Sequence, residues 1–390
     1  MTATPILLYS DNPSLTTGLA RITRHLADLL TRLPEFRVGT FGRGGLANRK
    51  LPWFQAIYPD MASPANTWGQ NLLHPVCENF FGNEQGILFT IMDPSRIHWL
   101  TQPQYLPASP LKTFLENRTF KIWSYLPVDS LGPNGRLSAI CADAVAGVDR
   151  PLAYGMFGAQ VLTNTLGREV DWLPHGINMD VFQPRDAKGT RLGYGIQEDA
   201  LVIMMNATNQ TRKDWGVATA AMMLLHRKHP KLVWVIHTDL MARYWDIKAL
   251  IADHGLGDCA FVIENCDQSD LEMSYLYSMC DLTMLCTLGE GVGYPVIESL
   301  ACGRPCVTTD YAGSVELIPR VSWLVPPVAM RLDGYYNQLR PVTKPEDWVA
   351  AIERVLDEQP SIEECRESIT HLDWKNLYIP WNRWFLEGLK

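Results

Sequence analysis

Two periodicities alternate along the chain. Short apolar runs are separated by stretches in which hydrophobic residues recur every three or four positions, the signature of strands joined by amphipathic helices. Ile6-Leu7-Leu8-Tyr9 is the first run, and Ser10-Asp11-Asn12-Pro13-Ser14 behind it carries turn chemistry. From Gly18 onward, Leu19, Ile22, Leu26, Leu29 and Leu30 keep helical spacing with Arg and Asp between them. A strand pattern returns at residues 36–41, and further strands are expected at 86–91, 121–126, 159–163 and 170–173. Such alternation favours parallel strands with crossover helices, hence a doubly wound α/β sheet.

The rhythm restarts in the second half. Ala200-Leu201-Val202-Ile203-Met204-Met205 reads as a buried strand, followed by helical spacing through Val217, Ala220, Met223 and Leu224 and by the strand Leu232-Val233-Trp234-Val235-Ile236. Residues 261–263 and 282–285 continue the sheet, and the turn-rich Phe182-Gln183-Pro184-Arg185-Asp186 reads as a linker. Two Rossmann-like domains facing a central cleft are therefore expected, over residues 1–182 and 183–372. The aromatic, helix-patterned residues 373–390 are expected to return to the first domain.

Length and composition agree with this division. A chain of 390 residues exceeds what one core usually organises, and 47% hydrophobic against 19% charged residues supplies apolar material for two. The nine cysteines are scattered without a C-x-x-C pair, so neither a disulfide framework nor a zinc site is indicated. The opening residues lack a signal-peptide pattern, and no apolar run reaches the eighteen or so residues of a spanning helix, so a cytoplasmic protein is expected. The net charge of −8 argues against a generally basic nucleic-acid-binding protein. Residues 1–180 nevertheless carry fourteen Lys/Arg and fourteen Asp/Glu, and residues 1–60 hold seven basic against four acidic side chains. An anionic partner would be better received there, although a solvated helix face explains the same bias.

The most specific segment is Glu290-Gly291-Val292-Gly293-Tyr294-Pro295-Val296-Ile297-Glu298, continued by Ser299-Leu300-Ala301-Cys302-Gly303-Arg304-Pro305. Gly291 and Gly293 permit close backbone approach, Pro295 suits a first helical turn, and free N–H groups at a helix start favour an anion. Glu298 would lie about one turn into that helix, on the side of the same ligand. The string resembles the E-x7-E signature of retaining GT-B glycosyltransferases, specifically glycosyltransferase family four. The resemblance implies a metal-independent transferase using a nucleotide-sugar donor. It assigns Glu290 to the donor sugar and its developing charge, and Glu298 to the nucleotide ribose. Gly291, Val292, Gly293 and Tyr294 would form the wall of the diphosphate site.

Other segments extend the resemblance. In Asn209-Gln210-Thr211-Arg212-Lys213-Asp214, the adjacent Arg212 and Lys213 match the family's basic pair for donor phosphates, Lys213 more closely; Arg212 reads equally well as a solvated neighbour. Relatives often carry a further Arg upstream, where Ala207 and Thr208 stand here. Gly18, between the first strand and helix, occupies the place of a glycine that the family sets against the donor phosphate or the transferred sugar, although a glycine at a helix start also serves as plain turn chemistry. No histidine follows the middle strand of the first domain; Asp129 stands there, as a base for the acceptor hydroxyl or as a turn cap. His98, His175 and His237 are lesser candidates for that place, and His175, in Pro174-His175-Gly176, matches a hinge motif of the family. His237 and Asn265, at strand C-terminal ends, are expected on the donor nucleotide.

Retention, and reaction on one face with the leaving phosphate taking the acceptor proton, are what the resemblance implies. No Asp-x-Asp motif is present, Asp270-Leu271-Glu272 being the nearest approach, so no metal is expected. Arg43, Arg49 and Lys50, among glycines and Trp53-Phe54, form an expected acceptor side suited to a phosphate-bearing polymer. With Ser10-Asp11-Asn12-Pro13 and Gly132-Pro133-Asn134-Gly135, this resembles phage-encoded members of the family and points to a hydroxymethylated pyrimidine in DNA as acceptor. A small metabolite, a polysaccharide or a lipid-linked sugar are the alternatives, and a non-catalytic nucleotide-sugar-binding protein is the alternative of another class.

Overall fold

The computed structural model describes residues 3–45, 51–59, 67–240, 244–264, 268–334 and 336–390. It divides into two compact units, one of Met1–His175 with Gly334–Gln338 and Leu377–Lys390, the other of Gly176–Asp333 with Leu339–Asn376.

The first unit runs β1 (Thr4–Asp11), α1 (Gly18–Thr31), β2 (Phe36–Arg43), β3 (Phe54–Tyr58), α2 (Gln70–Phe81), β4 (Ile87–Ile91), α3 (His98–Thr101), α4 (Pro110–Glu116), β5 (Lys121–Leu126), α5 (Ala139–Ala146), β6 (Arg150–Ala153) and α6 (Met156–Leu166). Its six strands are ordered β3-β2-β1-β4-β5-β6, all parallel. Ile6, Leu7, Leu8 and Tyr9 are wholly buried because a central parallel strand is covered on both faces.

Two expected strands are not strands of this sheet. Residues 159–163 lie inside α6, where Gly155 precedes the first turn and Gly167, at φ 67°, caps the last; that boundary chemistry overrides the local run of apolar residues. Residues 170–173 contribute a single bridge, Trp172 to Ala153. The sixth strand is β6, whose Pro151 sits at the sheet edge, where a missing N–H is tolerated. β3, at the opposite edge, lies where the sequence pattern indicated no strand.

The second unit repeats the plan with α7 (Ala187–Gly193), β7 (Leu201–Asn206), α8 (Trp215–Lys228), β8 (Leu232–His237), α9 (Ile247–Asp253), β9 (Ala260–Ile263), α10 (Asp270–Met279), β10 (Leu282–Leu285), α11 (Tyr294–Ala301), β11 (Cys306–Thr309), β12 (Leu324–Val325), the pair β13 (Ala329–Asp333) and β14 (Gln338–Val342), α12 (Pro345–Glu358) and α13 (Ile362–Ser368). The terminal helix α14 spans Trp374–Glu387. Strand order is β12-β11-β10-β7-β8-β9, again parallel throughout. Connections leave β7 and β10 in opposite directions, so the sheet opens a crevice at their carboxyl ends, the place where doubly wound folds bind ligands. No helix among the described residues is long and apolar enough to cross a membrane.

Candidate functional site

The carboxyl end of β10 leads into a loop that delivers Glu290 to the head of α11. Gly293 precedes the helix at φ 95°, a left-handed conformation that a side chain would strain. Pro295 lies in the first turn, where its missing N–H costs no helical bond. One turn on, Glu298 is only 2% exposed, and Val292 is buried beneath the loop.

A second loop, from β7 to α8, is stitched to the first. Leu288 N–H donates to the Arg212 carbonyl at 2.7 Å, Lys213 bridges antiparallel to Thr287, and Asp214 N–H donates to the Cys286 carbonyl at 3.2 Å. Asp214 then caps α8 by accepting from Val217 N–H at 3.2 Å. On its far side the loop is braced by Trp245, whose backbone exchanges hydrogen bonds of 3.0 and 2.8 Å with the Asn209 amide.

This stitching brings both cations onto one carboxylate oxygen. Glu290 Oε1 receives Arg212 Nη1 at 2.6 Å, the Lys213 ammonium, and the Thr287 hydroxyl at 2.8 Å. Burial alone would raise this carboxyl, but the Arg212 and Lys213 charges outweigh it and hold Glu290 down at about 2. Arg212, which also donates to the Gly289 carbonyl at 3.0 Å, is therefore a member of the cluster and not a solvated neighbour. The trio sums to one positive charge beside the N–H groups that open α11, a setting that attracts an anion.

Behind the glutamate loop stands a segment that sequence reasoning did not single out. Gly313 N–H donates to the Glu290 carbonyl at 2.9 Å, and Ala312 before it adopts φ 62°. A side chain at Gly313 would overlap the Gly291 carbonyl. Arg340 Nη1 donates to the Leu288 carbonyl at 3.2 Å from β14.

Glu298 has its own partners. Its Oε2 accepts from the Tyr277 hydroxyl at 2.6 Å and from Asn206 Nδ2 at 3.4 Å. Asn206 ends β7 and pairs in register with His237 at the end of β8. Neither Tyr277 nor Asn206 carries a sequence signal: Tyr277 falls at helical spacing with Met273 and Leu276 and reads as core. Tyr294, expected on the diphosphate wall, donates its hydroxyl to the Gly176 carbonyl at 3.3 Å.

In the first unit, Gly18 opens α1 behind the cap residue Thr17, whose hydroxyl donates to Asp11 Oδ2 at 2.7 Å. Asp11 Oδ1 in turn pairs with Arg43 Nε at 3.1 Å, so Arg43 is committed to a buried carboxylate and is not a loose acceptor-side cation. Arg49, Lys50 and Asn265 lie outside the described residues. Asp129 is half-buried and accepts from its neighbour Ser130 Oγ at 3.1 Å. His98 is bound to Asp143 at 2.8 Å. His175 is enclosed against Tyr125 and Tyr154, and burial lowers it to about 3, so it is neutral at physiological pH.

Asp270 and Glu272 open α10, where Glu272 forms a capping box with Ser269. Among the described residues, the group of three potential metal donors is His226, Asp258 and Cys259, and it includes none of the residues around Glu290.

The chain is similar to known proteins in sequence and in fold. Residues 191–371 match the family described as glycosyl transferases group 1. The D-inositol 3-phosphate glycosyltransferase of Paenarthrobacter aurescens is 24% identical over 238 residues, 59% of this chain and 54% of that protein. The protein of the same name from Acidothermus cellulolyticus is 26% identical over 249 residues, 60% of this chain and 52% of its own. The chain thus spans about half the length of these curated relatives. Among solved structures, sucrose-phosphate synthase from Thermosynechococcus elongatus superposes with a TM-score of 0.75 at 16% identity, covering 99% of each chain. A glycosyltransferase from Rickettsia africae gives 0.70 at 17% over 100% and 99% of the two chains. Anabaena HepE in complex with UDP-glucose gives 0.68 at 13% over 98% and 99%. At such identities the likeness is one of fold, and that fold is the GT-B fold of glycosyltransferases, two Rossmann-like domains with six parallel strands each.

Proposed function

We propose that the chain is a retaining glycosyltransferase that moves a sugar from a nucleoside diphosphate sugar to an acceptor hydroxyl. The observation that carries this reading is the Glu290 carboxylate, ionised and tied through one oxygen to Arg212 and Lys213 at the head of α11. In this reading the donor diphosphate lies against Arg212, Lys213 and the first N–H groups of α11. The Glu290 carboxylate accepts from hydroxyls of the transferred sugar, and Glu298 accepts from the ribose. The bond between the anomeric carbon and the phosphate oxygen breaks, and the charge left on the diphosphate is met by the two cations. The acceptor oxygen bonds to the anomeric carbon on the same face, and its proton passes to the departing phosphate. No divalent ion takes part, since side-chain cations and helix N–H groups supply the neutralisation a metal would give.

For the acceptor, the relatives' names favour a small phosphate-bearing polyol or sugar over the DNA acceptor read from the basic opening residues. The curated relatives are named for inositol 3-phosphate, and a structural neighbour is a sucrose-phosphate synthase. Of the basic residues behind the DNA reading, Arg43 is paired with Asp11, and Arg49 and Lys50 lie outside the described residues.

The test begins with thermal shifts in a panel of nucleotide sugars, where the true donor raises the midpoint by mass action. Transfer from that donor to inositol phosphates, hexose phosphates and modified DNA is then measured in excess chelator, with the anomeric configuration read by NMR. An inverted product sinks retention. Stabilisation without transfer to any acceptor, and without donor hydrolysis, would favour the non-catalytic binding protein.

A further inference from the structure

Glu298 belongs to a continuous hydrogen-bonded relay that begins two strands away. Gln268 meets His237 Nε2 at 2.8 Å, and His237 Nδ1 meets Asn206 Oδ1 at 2.8 Å. Asn206 Nδ2 donates to the Tyr277 hydroxyl oxygen at 2.7 Å, and that hydroxyl donates to Glu298 Oε2 at 2.6 Å. The 3.4 Å contact from Asn206 Nδ2 to the same oxygen closes a triangle. Every link lies in the second unit: Asn206 and His237 at the carboxyl ends of β7 and β8, Gln268 just before α10, Tyr277 on α10 and Glu298 on α11.

The polarity of the chain is set by its end. A carboxylate only accepts, so Tyr277 must donate to it and must itself accept from Asn206. That use of the Asn206 NH2 group turns the Asn206 carbonyl toward His237, which then holds its hydrogen on Nδ1 and accepts at Nε2, so the Gln268 amide must turn its NH2 group toward the ring. Tyr277 is buried and Asn206 half-buried, and both are engaged at each polar end of the relay, so turning either one breaks a hydrogen bond. The Glu298 carboxylate is thereby held in orientation at Oε2.

We propose that His237 and Tyr277 are positioning residues for ribose recognition: through Asn206 they aim the Glu298 carboxylate at the ribose hydroxyls of a nucleoside diphosphate, and the site discriminates ribonucleotides from nucleotides lacking those hydroxyls. This rests on the donor reading given above. His237 acts here through the relay, not by touching the base.

The experiment compares binding of a nucleoside diphosphate and its 2′,3′-dideoxy counterpart by calorimetry. UDP, GDP and ADP are first titrated into the wild-type chain, and the tightest binder is used with its dideoxy form. Wild type should prefer the ribonucleotide by about tenfold or more, because a site built to pair hydroxyls rejects an analogue without them. His237→Ala and the conservative Tyr277→Phe should each weaken the ribonucleotide by about fivefold, the scale of one misdirected hydrogen bond, and leave the dideoxy form unchanged. Equal weakening of both nucleotides, or of neither, overturns the relay. A wild-type chain that binds both nucleotides equally overturns the ribose role of Glu298 and the relay with it. A wild-type chain that binds none of the three overturns the donor reading itself.

Discussion

Arg212 Nη1 lies 2.6 Å from Glu290 Oε1, and the Lys213 ammonium meets the same oxygen. The cations proposed to receive a diphosphate are thus held by a carboxylate. Lys213 is buried, with its side chain only 5% exposed, so Glu290 compensates a charge that would otherwise stand in a poorly solvated place.

Removing that carboxylate should therefore separate binding from transfer. Glu290→Ala is expected to destabilise the chain by about 3 kcal/mol, the cost of leaving a buried cation without its partner. A nucleoside diphosphate should restore part of this by supplying the missing negative charge, so its thermal shift should be larger in the variant than in wild type. Transfer should be lost while binding is kept. A smaller shift in the variant would mean that Glu290 itself is needed to hold the phosphates.

Acid should act on the same contact. Glu290 sits at about 2 in the folded chain against an ordinary 4.5, so its pairing stabilises fully above about pH 5 and is lost as pH falls toward 2. The depression amounts to about 3 kcal/mol of folding free energy across that window. His175, buried neutral, also loses stability on acidification, beginning nearer pH 6.5. Urea unfolding of wild type and Glu290→Gln between pH 7 and 3 isolates the carboxylate. The gap between the two proteins should narrow as pH falls below 5, and a gap independent of pH would remove the ion pair as its cause.

The loop behind the site offers a steric test. A methyl group at Gly313 would enter the space of the Gly291 carbonyl, which is backbone and cannot rotate away. Gly313→Ala should push the Glu290–Gly293 turn forward, at a cost of about 1–3 kcal/mol, and weaken nucleotide binding. Ala at Gly257, where nothing lies near the added carbon, is the control and should leave both quantities unchanged. Unaltered nucleotide affinity in Gly313→Ala would show that the rear loop does not set the site.

How much of this could be read beforehand depended on how local each feature is. Glu290, Gly293, Pro295 and Glu298 fall within nine consecutive residues, and their spacing alone places them around one helix start. Thr287, Asn206, Tyr277 and Gly313 reach the site from three strand ends and a helix, and only the sheet topology unites them. The central strands were legible because burial on both faces makes them continuous apolar runs. The edge strands β3 and β6 are mixed in character, and β6 contains Pro151, so their pattern resembled loop. Residues 159–163 were misleading for a related reason: Val161, Leu162 and Thr163 suit a strand, but the glycines bracketing α6 decide the matter.

The terminal helix contributes to stability through the first unit. Trp384 stacks edge-on against Trp123 at 5.4 Å and lies beneath the Arg150 guanidinium at 4.0 Å, while Phe385 packs on Phe89 at 5.2 Å. Arg150 Nη1 also donates to the Trp384 carbonyl at 2.7 Å, so the guanidinium grips the helix by ring and backbone together. Trp384→Ala should cost about 3–5 kcal/mol, as expected for deleting a large buried aromatic. Ile379→Ala on the same helix, at a side chain 70% exposed, should change stability by no more than about 0.5 kcal/mol. Because the Glu290 and Glu298 contacts all lie in the second unit, nucleotide affinity measured below the unfolding transition should be the same in Trp384→Ala and wild type. A loss under 1 kcal/mol would mean the helix is replaceable, and a loss of nucleotide affinity in the folded variant would mean the two units are energetically coupled through it.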